Sequence, residues 1–511
     1  MGAPREADGD ASEASEADVL GALLPEVARF LAREVDGYAI DRRGEIPAAV
    51  REGLAELGLF GMTVPERYGG AGLSLGAAGR VVAEVARVDR SIAIMLGLHA
   101  GLGTRGLVER GGAALRARWL PRLASGRCVA AFAATEAEAG SDLTAIRTTG
   151  RVAGDRLRID GEKSYVTNGR IAGVFTVLVK TPGLGGERAH SLVFVPADAP
   201  GVRIGKEEDK LGIRGSSTVT VGFDGVQVPL DHILGEPGSG MDVAHGLLTW
   251  GRTLMSAGCV GAARGALDAT LAHVSTRRQF GGPISRFAAT RAHVAWMSAR
   301  LCAMQSLVSS VAAAHARGAG IEIDSAMAKV FCSEGAFETC DRAVQLHGAL
   351  GFLEPTGVAR MLRDCRITRI FEGANDVLLV RVGAQLLAAP PGEPALPLPE
   401  VAPDDRRIDG RIGDVERAVA AEARSLRQRF GVGAVRRQIA LQRLAQAATC
   451  VRAARAVIGD PAGDARLLRG YAAETLAGEA SGWLRRLADA DDDEIAAQAV
   501  AAHVLDGGQA H

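Results

Sequence analysis

Four short stretches of this 511-residue chain gather residue types that do chemistry. In RDCRITRIFEGANDVLL one glutamate, Glu372, stands before a glycine and the apolar run NDVLL. A carboxylate so placed is either a cap on that helix or a general base held against a substrate. In AAFAATEAEAGSDLTAIRTTG a strand-like run enters a Gly-Ser-Asp turn. That turn is either a plain polar turn or one that aims backbone N–H groups and small hydroxyls at a phosphate-bearing ligand. In STRRQFGGPI the planar guanidinium of Arg277 has the fork that grips a pyrophosphate bidentately, the alternative being a solvated helix end. The fourth stretch, GEKSYVTNGR, puts Tyr165 on a strand, by itself an ordinary place for a core aromatic.

The elements that must position these residues follow from periodicity. Residues 1–17 are an acidic tail read as disordered, and 18–128 form amphipathic helices interrupted by the turn-rich PERYGGAGLS. From 129 to 240 short β-branched runs such as FTVLVK and STVTVGF alternate with Gly, Pro and Asp, as antiparallel strands do. Helical periodicity returns over 241–388 in segments long enough for a bundle. Residues 389–408 are a proline-rich linker, and 409–511 are Ala-, Arg- and Leu-rich helices. The expected fold class is therefore mainly α with a central β domain and an appended helical domain.

Composition narrows the function. At this length several domains are expected, and 47% hydrophobic with 23% charged residues is the balance of a globular protein. A net charge of -1 supplies no broad field for nucleic acid or an anionic membrane. The seven cysteines show no metal-ligand spacing and read as reduced core residues, so no metal is expected. No apolar run approaches the ~20 residues that span a bilayer, and the N-terminus carries no recognisable targeting pattern, so the expectation is a cytoplasmic protein.

Taken together, the four stretches resemble the acyl-CoA dehydrogenase family. The resemblance runs from about residue 20 and implies an N-terminal helical domain, a middle β domain and a C-terminal four-helix bundle. It implies FAD as cofactor and Glu372 as the base that removes the α-proton of an acyl-CoA while the flavin takes a hydride from the β-carbon. The thioester carbonyl is then held by the N–H of the base itself. Phe132, Ala134 and Thr135 correspond to residues that line the flavin, with Ser141 reaching both flavin and thioester. Tyr165 takes a position that is tryptophan in most relatives and stacks on the flavin ring, with Thr167 beside it. Arg277, Gln279 and Phe280, together with Gln345, Gly348 and Ala349 of AVQLHGALG, correspond to residues that hold the FAD of a neighbouring subunit. Ala349 replaces a usual glycine. Ala374 stands where threonine or serine contacts the cofactor, and Asp376 keeps a polar partner. Gly373 corresponds to a close approach of substrate to backbone, and Thr249 and Arg252 to a thioester-facing helix start.

Within the family the likeness is to the very-long-chain type, carried by GLAELGLFGMTVPERYGG, TGVARMLRDCRITRIFEGANDV and the helices beyond residue 388. Ala93 and Gly97 lie one helical turn apart where medium-chain relatives have long polar side chains, which favours a deep tunnel and a long acyl chain in fatty acid β-oxidation. The resemblance further implies electron-transfer flavoprotein as acceptor and a homodimer. The proline-rich linker stands where membrane-associated relatives have a basic amphipathic stretch, so membrane association is not expected. Two other readings remain: an acyl-carrier-protein-linked dehydrogenase of a biosynthetic pathway, and a non-catalytic assembly or interaction paralogue.

Overall fold

The computed structural model describes residues 15–388, 406–460 and 466–490, with positions 493, 494, 498 and 501 beyond them. It opens on helix α1 (Glu16–Glu34), which starts earlier than residue 18 because Ser15 and Asp18 form a reciprocal capping box. The expected tail falls at 1–14 outside the described residues. α2 (Gly37–Arg43), α3 (Ala48–Glu56), α4 (Leu75–Val88), α5 (Arg90–Leu98), α6 (Arg105–Arg110) and α7 (Ala113–Ala124) complete the first helical layer. Asp89 ends α4 and caps α5, its Oδ1 accepting from the N–H of Ile92 at 3.0 Å.

Between α5 and α6 the chain passes through a π-helical stretch, His99–Gly103. The run Arg90–Arg110 is long and apolar enough to cross a membrane by length and composition, contrary to the reading that no such run exists, but 72% of it is buried inside the protein. Its apolarity is that of a core helix. Buried His99 joins this layer to the sheet: Nδ1 accepts from the N–H of Ala130 at 2.9 Å, which leaves Nε2–H to face the carbonyl of Phe60 at 3.2 Å. Burial pushes its pKa down to about 4, so the ring is the neutral tautomer that this bridge requires.

The sheet comprises β1 (Val129–Ala133), β2 (Thr149–Ala153), β3 (Arg156–Thr167), β4 (Ala172–Lys180), β5 (His190–Pro196), β6 (Val202–Glu207) and β7 (Thr218–Pro229). Its order is β1-β4-β2-β3-β7-β6, with β5 also on β4. Most pairings are antiparallel, but β4 runs parallel to β1 and, at Thr149 and Lys180, to β2, which the local strand pattern alone did not reveal. One apolar cluster lies between the sheet and α7, and another, with Phe175 and Phe223, fills its other side.

Three long helices follow: α8 (Gly240–Thr276), α9 (Ala288–Ala316) and α10 (Glu322–His347). β8 (Arg278–Gln279) and β9 (Gly282–Pro283) form a small hairpin between α8 and α9, and α11 (Ala349–Phe352), α12 (Val358–Arg366) and α13 (Asn375–Ala388) complete the bundle. Beyond it, α14 (Arg406–Phe430), α15 (Gln438–Ile458) and α16 (Arg466–Ala488) pack onto α9 and α13. α14 begins before the expected linker end at 408, and 389–405 lie outside the described residues. The close approach of α15 to α13 depends on Gly383, where a methyl group would stand 2.4 Å from the carbonyl oxygen of Leu441. The buried ion pair Arg452–Asp324 and the half-buried pair Arg300–Glu479 join the appended helices to the bundle.

Candidate active site

Glu372 sits in the turn between α12 and α13 with a positive φ of 54°, and Gly373 follows at 100°. Left-handed backbone is costly for a side chain other than glycine and persists only where surroundings enforce it. Here the enforcement is visible. Nε of Arg252, on α8, donates to the carbonyl of Glu372 at 2.9 Å. Nζ of Lys329, on α10, donates to the carbonyl of Gly373 and to Oδ1 of Asn375, both at 2.7 Å. Asn375 in turn donates to Ser333 at 3.0 Å and Glu334 at 2.6 Å, so the whole turn is pinned to two long helices.

These cations engage the backbone and leave the carboxylate bare. Oε2 of Glu372 is shut off from solvent and has no hydrogen-bond partner. Burial raises the pKa to about 7, and Arg252, Lys329 and Arg90 pull in the opposite direction without winning. A carboxyl group poised near neutrality, with no structural bond to break, has the properties of a general base. Among the described residues the N–H of Glu372 donates to no protein acceptor either.

The carboxylate faces a cavity of about 320 Å³ between the first helical layer, the sheet and α8. On the sheet side it is lined by Phe132, Ala134, Thr135, Ser141, Tyr165 and Thr167. Tyr165 is there because β3 loses register with β7 between Lys163 and Val166, and the left-handed φ of 56° at Tyr165 turns its ring outward, 64% exposed. The turn carrying Ser141 is held at both feet. Nζ of buried Lys163 donates to the carbonyl of Ala134 at 2.9 Å and to Glu136 at 2.8 Å, while the Glu136 carboxylate accepts from the N–H groups of Arg147 and Thr148. Burial works against the charge on Glu136, but these donors hold its pKa below the usual value; burial lowers that of Lys163 to about 8.

Ala93, Gly97, Arg252 and Gly373 also line the cavity. Thr249 does not: it lies inside α8, which starts at Gly240 rather than near 249, and its hydroxyl donates to the carbonyl of His245 one turn back. Ala374 and Asp376 lie outside the lining, at the start of α13. Arg277, Gln279 and Phe280 stand at the far end of α8, and Gln345, Gly348 and Ala349 at the matching end of α10. The two ends adjoin, since His273 stacks on His347 at 4.2 Å. This second group is exposed, with Phe280 at 86%, and does not share the cavity of Glu372. Sequence reading missed Lys329, Lys163 and Asn375. The signal for Lys329 was that this chain uses only five lysines and sets this one in the apolar stretch AMAKVF.

Three family models match consecutive parts of the chain: the acyl-CoA dehydrogenase N-terminal domain over 20–127, the middle domain over 131–226 and the C-terminal domain over 238–387. A probable acyl-CoA dehydrogenase of Mycobacterium tuberculosis is 37% identical over 349 residues, covering 68% of this chain and 90% of that protein. The chain belongs to the acyl-CoA dehydrogenase family. The human very long-chain specific acyl-CoA dehydrogenase, mitochondrial, is 38% identical over 371 residues, which is 71% of this chain but only 57% of the human protein. The crystal structure of an acyl-CoA dehydrogenase from Bacillus anthracis complexed with FAD superposes with a TM-score of 0.84 at 28% identity, covering 95% of this chain and 89% of that one. That coverage takes in the helices beyond the bundle, so the appended helices have a counterpart within the family.

Proposed function

We propose that this protein is an FAD-dependent acyl-CoA dehydrogenase in which Glu372 removes the α-proton of the acyl thioester. The observation that carries the proposal is the Glu372 carboxylate, with Oε2 buried and unbonded, across a cavity from a wall of small hydroxyls and an outward-turned tyrosine. FAD fits that wall. Thr135, Ser141 and Thr167 offer hydroxyls, Phe132 and Tyr165 offer ring faces, and the left-handed backbone at Tyr165 has no evident packing purpose. When bound there, FAD supplies the acceptor for the hydrogen and electron pair that leave the β-carbon.

The remaining work belongs to the chain. Glu372 takes the α-proton, and a base near neutrality is matched to that task at physiological pH. Its free N–H is an oxyanion donor next to the reacting carbon, where charge develops on the thioester oxygen. Arg252 and Lys329 fix the base by holding the successive carbonyls of Glu372 and Gly373, and the apolar wall of Leu254, Met255 and Leu102 keeps water away.

An extended acyl chain is favoured by Ala93 and Gly97, which line the cavity and leave its floor open, in keeping with the very-long-chain relatives. The exposed groups at the ends of α8 and α10, Arg277, Gln279, Phe280, Gln345, Gly348 and Ala349, suit the FAD of a second copy, so a homodimer is proposed, with an electron-transfer flavoprotein as acceptor and the cytoplasm as its place. A panel of acyl-CoA thioesters with an artificial electron acceptor tests the reading. Turnover that rises from butyryl- to octanoyl-CoA and disappears in Glu372→Gln supports it; turnover undiminished in that variant refutes it.

A further inference from the structure

The channel that starts at Glu372 does not end in apolar side chains. Arg90, the first residue of α5, lines it and is 3% exposed. Its sequence neighbour Asp89 is already engaged, capping α5 through Oδ1 and pairing through Oδ2 with Arg360 at 2.8 Å. Asp364, the other buried acid nearby, accepts from the N–H of Ile213 and faces Arg360 at 3.6 Å. Among the described residues Arg90 forms no ion pair. Nη2 has only a long contact to Sγ of Cys259 at 3.9 Å, and Nε has no partner at all. A guanidinium carries five donors and does not deprotonate, so leaving it buried and unpaired is costly. It also stands at the N-terminal, positive end of α5, where a cation is disfavoured.

Two helices measure its distance from the base. On α5, Arg90, Ala93 and Gly97 share the face that lines the cavity. On α8, Gly251, Leu254 and Gly258 do the same. A methyl group at Gly251 would stand 3.4 Å from Oε2 of Glu372, and one at Gly258 would stand 2.8 Å from Nη1 of Arg90. The seven-residue step along α8 places base and guanidinium roughly 10 Å apart, at opposite ends of one channel. Small residues at 93, 97, 251 and 258 keep that channel open. Of the arginines that line the cavity, Arg252 holds the carbonyl of Glu372 and Arg381 pairs with Glu322, which leaves Arg90, among the described residues, without a carboxylate or carbonyl partner.

We propose that Arg90 binds a hydrogen-bond-accepting oxygen at the far end of the acyl group, a carboxylate foremost, so that the enzyme favours ω-carboxyacyl thioesters over plain acyl thioesters of equal length. The inference rests on the dehydrogenase reading for its chemistry but concerns recognition alone. Buried charge-assisted hydrogen bonds of this kind discriminate by about 10- to 100-fold.

Calorimetry in a Glu372→Gln background, where thioesters bind without turnover, reads the discrimination directly. Suberyl-CoA is expected to bind at least about tenfold more tightly than octanoyl-CoA, and Arg90→Met to abolish that preference while changing octanoyl-CoA binding much less. An ω-hydroxyoctanoyl-CoA arm separates a neutral acceptor from a carboxylate, an intermediate affinity assigning part of the preference to the oxygen alone. The adipyl, suberyl and sebacyl thioesters are compared with their monocarboxylic counterparts in the parent enzyme, so the result stands even if the Arg90 variant does not fold. Equal or tighter binding of the plain thioester at every length overturns the proposal. If plain thioesters are oxidised normally while no carboxyl preference is seen, only the role of Arg90 falls; if neither series is oxidised although both bind, the dehydrogenase reading falls instead.

Discussion

Replacing Lys329 with methionine isolates what tunes the base. The side chain is fully buried, and burial lowers its pKa to about 8, yet its Nζ holds the carbonyl of Gly373 and Oδ1 of Asn375, both at 2.7 Å. Methionine fills similar volume but donates nothing, so two buried acceptors lose their partner at about 1–3 kcal/mol each, offset in part by relief of the buried charge. A net loss of about 1–3 kcal/mol is expected, read as a lower urea midpoint at unchanged slope. The second effect is electrostatic. Lys329 is among the cations that pull the Glu372 pKa down, and at the effective dielectric of a protein interior one such charge is worth about 2 kcal/mol, or one to two pKa units. The parent enzyme is expected to show kcat/KM rising with pH through about 7, because Glu372 must lose its proton to act. In Lys329→Met the inflection moves up by roughly one to two units, so activity at pH 7 falls while the alkaline plateau recovers much of it. An inflection that stays near 7, or moves down, refutes the claim that this ammonium acts on the base.

Other perturbations give equally definite outcomes. The folded-state pKa of Glu372 is raised from 4.5 to about 7, so the folded protein holds a proton that the unfolded chain releases and stability falls as pH rises across that window; Glu372→Gln should therefore unfold at higher urea than the parent above pH 7, by up to about 3 kcal/mol, and equal stability there contradicts the assigned burial cost. Gly373→Ala forces a methyl group onto a φ of 100° and to within 3.1 Å of Leu378, which should cost about 1–3 kcal/mol and lower kcat by displacing the base; unchanged kcat would mean the turn is not under this constraint. Ala93→Phe obstructs the channel between Gly97 and Arg90, so kcat/KM for octanoyl-CoA should drop roughly tenfold or more while butyryl-CoA is spared, and a parallel loss for both would place position 93 off the acyl path.

Much of this was legible in the sequence, and the exceptions share a cause. The helical and strand segments follow from apolar periodicity, and Glu372, Tyr165, Ser141, Ala93 and Gly97, which the family resemblance put at a site, line one cavity. Thr249 was misplaced because the resemblance put a helix start there, whereas α8 begins at Gly240 and carries Thr249 in its interior. The helix Arg90–Arg110 escaped notice as a membrane-length segment because charges, a π turn and short polar breaks divide an apolar stretch that folding makes continuous. Lys329, Asn375, Lys163 and Arg90 act at a distance in sequence: Lys329 lies on α10, well before the turn it supports, and nothing in AMAKVF shows that its amine meets the carbonyl of Gly373. Such residues become visible only when burial and hydrogen bonding are both known. Lys329 carries a marker, a lysine kept within an apolar run of an arginine-rich chain, whereas Lys163, in GEKSYV, carries none.

The central claim is that the carboxylate of Glu372 removes a proton from an acyl thioester held between it and the wall that carries Tyr165. Anaerobic addition of octanoyl-CoA and suberyl-CoA to the purified, FAD-loaded protein tests it most directly. The account predicts that flavin absorbance bleaches with at least one of them within the mixing time of a stopped-flow instrument, and that Glu372→Gln slows bleaching by about 10²- to 10⁴-fold while both thioesters still bind. Bleaching at the parent rate in that variant would contradict it.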